Sequence, residues 1–168
     1  GGGAASPSPP PGGDLPLALP PSAVTIVADG AGLDELTTCV LGGGGAGCGG
    51  VAGSGGDTPA GTVTTLGIDV EWSDPDLVGL GSDGAVQWVQ VATPHRAFLL
   101  DVPALTLPRH AAALTAALER VLSAPHVLKV GYGLRQDLAK LRRAHPALAP
   151  CAPDLVQPSV ELSQLWLK

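Results

Sequence analysis

The stretch "LGIDVEW", residues 66–72, decides the fold. It is apolar enough to read as a buried strand, yet it carries two carboxylates, Asp69 and Glu71, one residue apart. Strand side chains alternate faces with a period of two. Leu66, Ile68, Val70 and Trp72 therefore share one face, and Thr65, Gly67, Asp69 and Glu71 the other. Both acids point the same way, with Cα atoms roughly 6.5–7 Å apart. What they do depends on what else in the chain can meet them.

Working outward, "AVTIVAD" (23–29) reads as a short strand, and "GLDELTTCVL" (32–41) as a short helix beginning after Asp29-Gly30, with Leu33, Leu36 and Val40 at helical spacing. Downstream of the acids, "AVQWVQVA" (85–92) and "AFLLDV" (97–102) are strands with short connections, which implies an antiparallel meander. In the first of these, Val86, Trp88 and Gln90 are expected to face one way and Gln87, Val89 and Val91 the other, both faces nearly buried. Trp72 and Trp88 read as core. "TLPRHAAALTAALERVLS" (106–123) switches to helical period, "HVLKVGYG" (126–133) returns to strand, and "LRQDLAKLRRAH" (134–145) is helix again.

On that last helix each residue turns about 100°, so with Leu134 at zero, Leu138 falls near 40°, Leu141 near 340° and Asp137 near 300°. Asp137 thus joins the edge of the apolar stripe, where an acid is costly unless a partner charge or a metal offsets its desolvation. Gly131 and Gly133 just before it permit a sharp turn and a close backbone approach. Two acids from a strand and one from a helix edge can converge on one patch, and the chemistry that wants this is a two-metal site. Hard oxygen ligands suit Mg²⁺ or Mn²⁺. Two such ions about 3.5–4 Å apart activate a water and stabilise the leaving oxygen of a phosphodiester, with Asp69 placed to lie between them.

The remaining composition bounds the partners. The 168 residues carry a net charge of −6, with Gly (24) and Pro (17) concentrated in the first sixty or so. All nine Lys and Arg lie from Arg96 onward, against five acids there, giving +4; the first 95 residues hold ten acids and none of these cations, giving −10. Acidic proteins are not general nucleic-acid binders, but a basic half facing a carboxylate cluster suits an enzyme that holds phosphates through metal ions. Segment 1–21 is expected to be disordered, 42–61 a flexible Gly-rich insert, and 22–168 one domain. No apolar run approaches the roughly 18 residues of a membrane span, so a soluble protein, not a membrane protein, is expected. The absence of Lys and Arg near the start argues against a signal or transit peptide, and an intracellular setting, nucleus or cytoplasm, is expected. The chain does not begin with Met, and a fragment or processed piece is expected. Cys39, Cys48 and Cys151 form no CxxC pair and read as free thiols; His95, His110, His126 and His145 have no ligand spacing.

"GIDVEW" (67–72) and "KVGYGLRQDLAKL" (129–141) together resemble the first and second motifs of the DEDD-type 3′–5′ exonucleases, in the branch of ribonuclease D, the Werner-syndrome exonuclease and the mutator-type enzymes. The second motif lies 68 residues after the first, in a strand order that is ribonuclease-H-like. The resemblance implies an α/β fold with a mixed sheet, an antiparallel meander followed by helix, strand and helix. It implies that Asp69 and Glu71 bind the catalytic metal, that Asp137 holds a second Mg²⁺ or Mn²⁺, and that nucleotides are hydrolysed from the 3′ end of single-stranded DNA or RNA. The family's third motif, a Tyr or His four residues before an Asp, is expected beyond "SVELSQLWLK" (159–168), so the chain reads as lacking the family's C-terminal helices. Glu161 comes too early to take that place.

Plainer readings stand beside these. Asp69 and Glu71 can be a solvated strand face, and Asp137 a surface acid paired with Lys140 or Arg135. Tyr132 either stacks on a base or, the commoner outcome, fills the sheet edge. Lys129, Arg135, Arg142 and Arg143 either contact phosphates or make a solvated face. The alternative to an enzyme is a catalytically inactive relative that binds nucleic acid or a protein; a third is an unrelated α/β module in which the acids are incidental.

Overall fold

The computed structural model describes residues 19–42, 64–73 and 85–165. The expectations for 1–18 and for most of the Gly-rich insert, 43–61, lie outside the described residues. A 3-10 turn at Pro21–Ala23 leads into β1 (Val24–Val27). Asp29 then caps α1 (Gly30–Leu41), its carboxylate accepting from the Gly32 N–H at 3.0 Å. The strands β2 (Thr64–Trp72), β3 (Val86–Ala92) and β4 (Ala97–Asp101) form the antiparallel meander. Next come the one-turn α2 (Val102–Leu105), α3 (Pro108–Ser123), β5 (Val127–Gly131), α4 (Leu134–Ala144) and β6 (Ser159–Glu161). The helix α2 was not expected; Asp101 accepts from the Ala104 N–H and Pro103 opens the turn, a cap-plus-proline signal that straddles the end of "AFLLDV".

One six-stranded sheet results, in the order β1-β4-β3-β2-β5-β6. β1 runs parallel to β4, while β2, β5 and β6 run parallel to one another. The alternation read from the sequence holds on β2: Leu66, Ile68 and Val70 are buried, whereas Asp69 and Glu71 are exposed. The same buried face carries Val89, Val91, Phe98, Leu100 and Val127, which share one core with Leu33, Leu36 and Val40 of α1, Leu114 and Leu118 of α3, and Leu138 and Leu141 of α4. The opposite face is only partly covered. Ile26 is 65% exposed there, and its row continues through the half-buried Leu99 and Gln90 to Asp69.

Two expectations fail on the sheet. A register shift sets Glu71 opposite Trp88 but Trp72 opposite Val86, leaving Gln87 unmatched. That one extra residue turns Val86 into the core, the effect of a bulge on alternation, while Trp88 keeps the side of Gln90 and so shares the face of the two acids. Trp72 and Trp88 are accordingly rim residues, each 36% exposed, rather than core. The thiol expectation also fails at Cys39, which is disulfide-bonded. Cys151 is a free thiol, buried and pushed up to about 12 by that burial. Among the described residues no helix is long and apolar enough to cross a membrane.

Lys129 is the deepest charged group among the described residues. It is fully buried, and its Nζ donates to the carbonyls of Ala124 at 2.8 Å and Gln157 at 3.0 Å, tying the segment before β6 to the end of α3. Desolvation lowers its pKa to about 8. The unfolded lysine binds its proton up to its ordinary value near 10.4, so between these two values the unfolded state holds more protons and stability rises with pH. We expect denaturant melts of the wild type to gain about 1–3 kcal/mol between pH 8 and 10.5 relative to Lys129→Met. Parallel pH profiles for the two proteins would contradict this placement.

Candidate active site

β2 delivers Asp69 and Glu71 to the open face near its carboxyl end. In the register with β3, Asp69 lies opposite Gln90 and Glu71 opposite Trp88. The Gln90 amide donates to Glu71 Oε1 at 3.2 Å, which holds that carboxylate toward β3.

Next to β2, β5 ends in the glycine turn of "GYG". Val130 pairs with Gly67, which brings Gly131 alongside Ile68. A Cβ at position 131 would stand 2.8 Å from the Ile68 carbonyl oxygen and 3.0 Å from Leu134 Cβ, so only glycine lets strand and helix come this close. Gly133 then takes φ 73°, left-handed, and its carbonyl accepts from the N–H groups of Gln136 at 2.8 Å and Asp137 at 3.1 Å. α4 therefore starts hard against β2, with Asp137 in its first turn, where the helix dipole favours an anion.

Asp137 is buried at 7% exposure, with Leu134, Leu138 and Leu141 buried beside it, as the helical spacing predicted. Its pKa is raised to about 6, chiefly by burial and next by the charge of Asp69, with Glu161 and Glu71 adding to the rise and Lys140 opposing it. The three expected acids thus form one electrostatic cluster. A fourth belongs to it. Glu161 pairs with Gly131 across β5 and β6, and its Oε1 accepts from the Gly133 N–H at 2.7 Å and from the Ser163 hydroxyl at 2.8 Å. Burial pushes the Glu161 carboxyl up, but hydrogen bonds from Gly133, Ser163 and the Arg135 N–H outweigh it and hold the group below its usual range. The sequence reading set Glu161 aside; the signal that would have found it is the parallel pairing of β6 with β5, a long-range contact.

The expected nucleic-acid residues divide. Tyr132 is 70% exposed rather than filling the sheet edge, and Arg135 is exposed on the first turn of α4. Lys129 is corrected: its ammonium is spent inside the protein and is not available to a phosphate. Lys140, seen before only as a pairing partner for Asp137, instead sits with Nζ 3.6 Å from the centroid of the Trp72 ring.

The donor set of Asp69, Glu71 and Asp137 is all carboxylate oxygen, the kind hard divalent cations take, and mutual repulsion at Asp137 is what such a charge relieves. As the side chains stand, no three Asp, Glu, His or Cys groups among the described residues converge closely enough to hold a metal. Glu71 is turned to Gln90 and Glu161 to backbone N–H groups, which accounts for part of that separation.

No family model matches the chain. A curated relative, the exonuclease mut-7 homolog of Homo sapiens, is 41% identical over 87 residues, half of this chain and a tenth of that protein. Over those residues the chain is similar to an exonuclease. Its fold is shared with the EXO domain of Aedes aegypti Nibbler, at TM-score 0.62 and 17% identity, covering 89% of this chain and 57% of that one. It is shared also with the EXD2 exonuclease domain soaked in Mg and GMP, at TM-score 0.56 and 20% identity, covering 86% and 58%. The chain therefore spans a little over half the length of these solved domains. The sheet is the mixed, ribonuclease-H-like one that the meander followed by helix, strand and helix led us to expect.

Because the folded Asp137 holds its proton more tightly than an unfolded aspartate, its contribution to stability is lost as pH rises from about 4 through about 6. Without divalent ions, Asp137→Asn should therefore be more stable than wild type at pH 7 by about 1–3 kcal/mol and equal to it near pH 4. Gly131→Ala should lose about 1–3 kcal/mol by overpacking. Chemical denaturation in EDTA at the two pH values checks both.

Proposed function

We propose that this chain is the catalytic part of a metal-dependent 3′–5′ exonuclease that hydrolyses phosphodiester bonds from the 3′ end of single-stranded nucleic acid, within the cell. The observation that carries the reading is the clustering of Asp69, Glu71 and the buried Asp137 at the carboxyl ends of the parallel strands β2 and β5. That is where ligands bind in open α/β sheets. The Mg and GMP soaked into the related EXD2 domain, and the exonuclease domains among its structural neighbours, support it.

Asp69, Glu71 and Asp137 would hold two Mg²⁺ or Mn²⁺ ions. When bound, such ions supply a water made nucleophilic near neutral pH and offset charge on the leaving oxygen. The rest falls to the protein's own groups. Glu71, which the Gln90 amide now holds toward β3, would be one of the ligands. The left-handed Gly133 and the Glu161 that it donates to hold the start of α4, and with it Asp137, against β2. Tyr132, exposed at the mouth, offers a face for the terminal base, and Arg135 a charge for a phosphate. The family's third motif, with the Tyr or His that orients the attacking water, does not occur in these 168 residues.

The test uses the full-length protein on 5′-labelled single strands with Mg²⁺ or Mn²⁺. Wild type should give a ladder shortening from the 3′ end, and Asp69→Ala should slow it at least about a hundredfold. The divalent ion should raise the melting temperature of wild type and not of Asp69→Ala. Binding of the strand without any ladder would mark the inactive, binding-only relative; equal cleavage by both proteins would remove the assignment.

A further inference from the structure

Lys140 and Trp72 join the two elements that carry the acids. Trp72 ends β2 one residue after Glu71, and Lys140 stands on α4 three residues after Asp137. At that spacing an aspartate and a lysine share one side of a helix and ordinarily pair. Here the ammonium lies over the indole instead, 3.6 Å from the ring centroid. No ion pair with a described carboxylate uses its donors, although its charge is felt at Asp137.

An aromatic face holds a cation without consuming its N–H bonds, so three donors remain on a half-buried group beside the acids. The need for one is plain. A polyanionic strand that enters a nest of four carboxylates meets repulsion, and the protein must supply positive charge near the reacting linkage. Lys129 does not, being sealed in the core. Lys140 is half-buried and its charge reaches Asp137, while Arg135 is exposed on the first turn of α4.

We propose that Lys140, held by the Trp72 ring, contacts a phosphate of the bound strand next to the scissile linkage, with Trp72 as its positioning residue. This rests on the nuclease reading above. A lysine is a point charge with rotatable donors, suited to one phosphate oxygen rather than to bidentate recognition. Because the ring tethers the stem, the charge stays at the site when no strand is present.

The experiment measures binding and cleavage separately in the full-length protein. For binding, every arm keeps the four acids and the strand carries non-hydrolysable linkages at its 3′ end so that it survives, and the anisotropy of this 5′-labelled single-stranded oligonucleotide is followed across a salt series with Mg²⁺ present. Lys140→Met should weaken binding about tenfold. It should also flatten the slope of log affinity against log salt by about 0.7, one phosphate contact on a single strand. Lys140→Arg should keep the slope, Trp72→Phe should keep most of the affinity, and Trp72→Leu should lose several-fold. Adding Lys140→Met to Trp72→Leu should then cost less than Lys140→Met does alone. Wild-type affinity and slope in Lys140→Met, in a protein whose wild type makes a ladder on the unmodified strand, overturns this proposal and leaves the nuclease reading standing. Weaker binding with an unchanged slope, matched by a lower melting temperature in both Lys140→Met and Lys140→Gln, also overturns it in favour of a packing role. A protein that neither binds nor cleaves the strand overturns both.

Discussion

The site depends on a backbone contact with no room for a side chain. At Gly131 the carbonyl of Ile68 stands where a Cβ would be, so β5 can run beside β2 and still release α4 directly onto it. Were the turn wider, α4 would start further from β2 and Asp137 would be a surface acid of ordinary behaviour. Because the turn is tight, Asp137 is pressed into a partly apolar corner with three other carboxylates within electrostatic reach. The protein pays a stability cost there of the kind that recurs at functional sites. The hydrogen bonds that Gly133, Arg135 and Ser163 give to Glu161 stabilise one member of the cluster as an anion, which sharpens the pressure on Asp137.

Much of this was legible, and for simple reasons. The period of two put Asp69 and Glu71 on the face opposite Leu66 and Ile68, and the helical angle put Asp137 on the edge of a leucine stripe; both are local properties of one element. The parts that were not legible come from pairing between elements. Nothing in "AVQWVQVA" announces that Gln87 is skipped opposite β2, yet that skip puts Val86 on the core face, away from Trp88 and Gln90. Glu161 gains its role from the neighbour that β6 chooses. Lys129 is different, since its position was readable: alternation along Val127, Lys129 and Gly131 places it on the buried face. The residue type drew it toward phosphate, and the strand period was the better guide.

The uneven charge of the chain also looks different once folded. A net +4 over the second half suggested a basic surface opposed to the acids. Few of those charges serve that purpose. Lys129 is taken into the core, and Arg96 is committed to Glu35 and to Thr25 of β1, stacked near Phe98. These are structural uses of cations, tying the long-range edge pairing of β1 with β4 and the segment before β6.

What is left near the acids is small in number and specific in place. A broad basic surface would draw any nucleic acid, with an affinity set by counterion release over many contacts. Under the proposed function, carboxylates flanked by Arg135 and the ring-held Lys140 would repel the body of a strand and reward only an end whose phosphates meet those positions. The four-acid cluster would then act as a filter as well as a chemical centre: the repulsion that raises the Asp137 carboxyl would also disfavour entry by a polyanion unless divalent cations came with it. On that proposal, binding of a strand and binding of the ions would be one coupled event, because each would supply the charge that the other lacks.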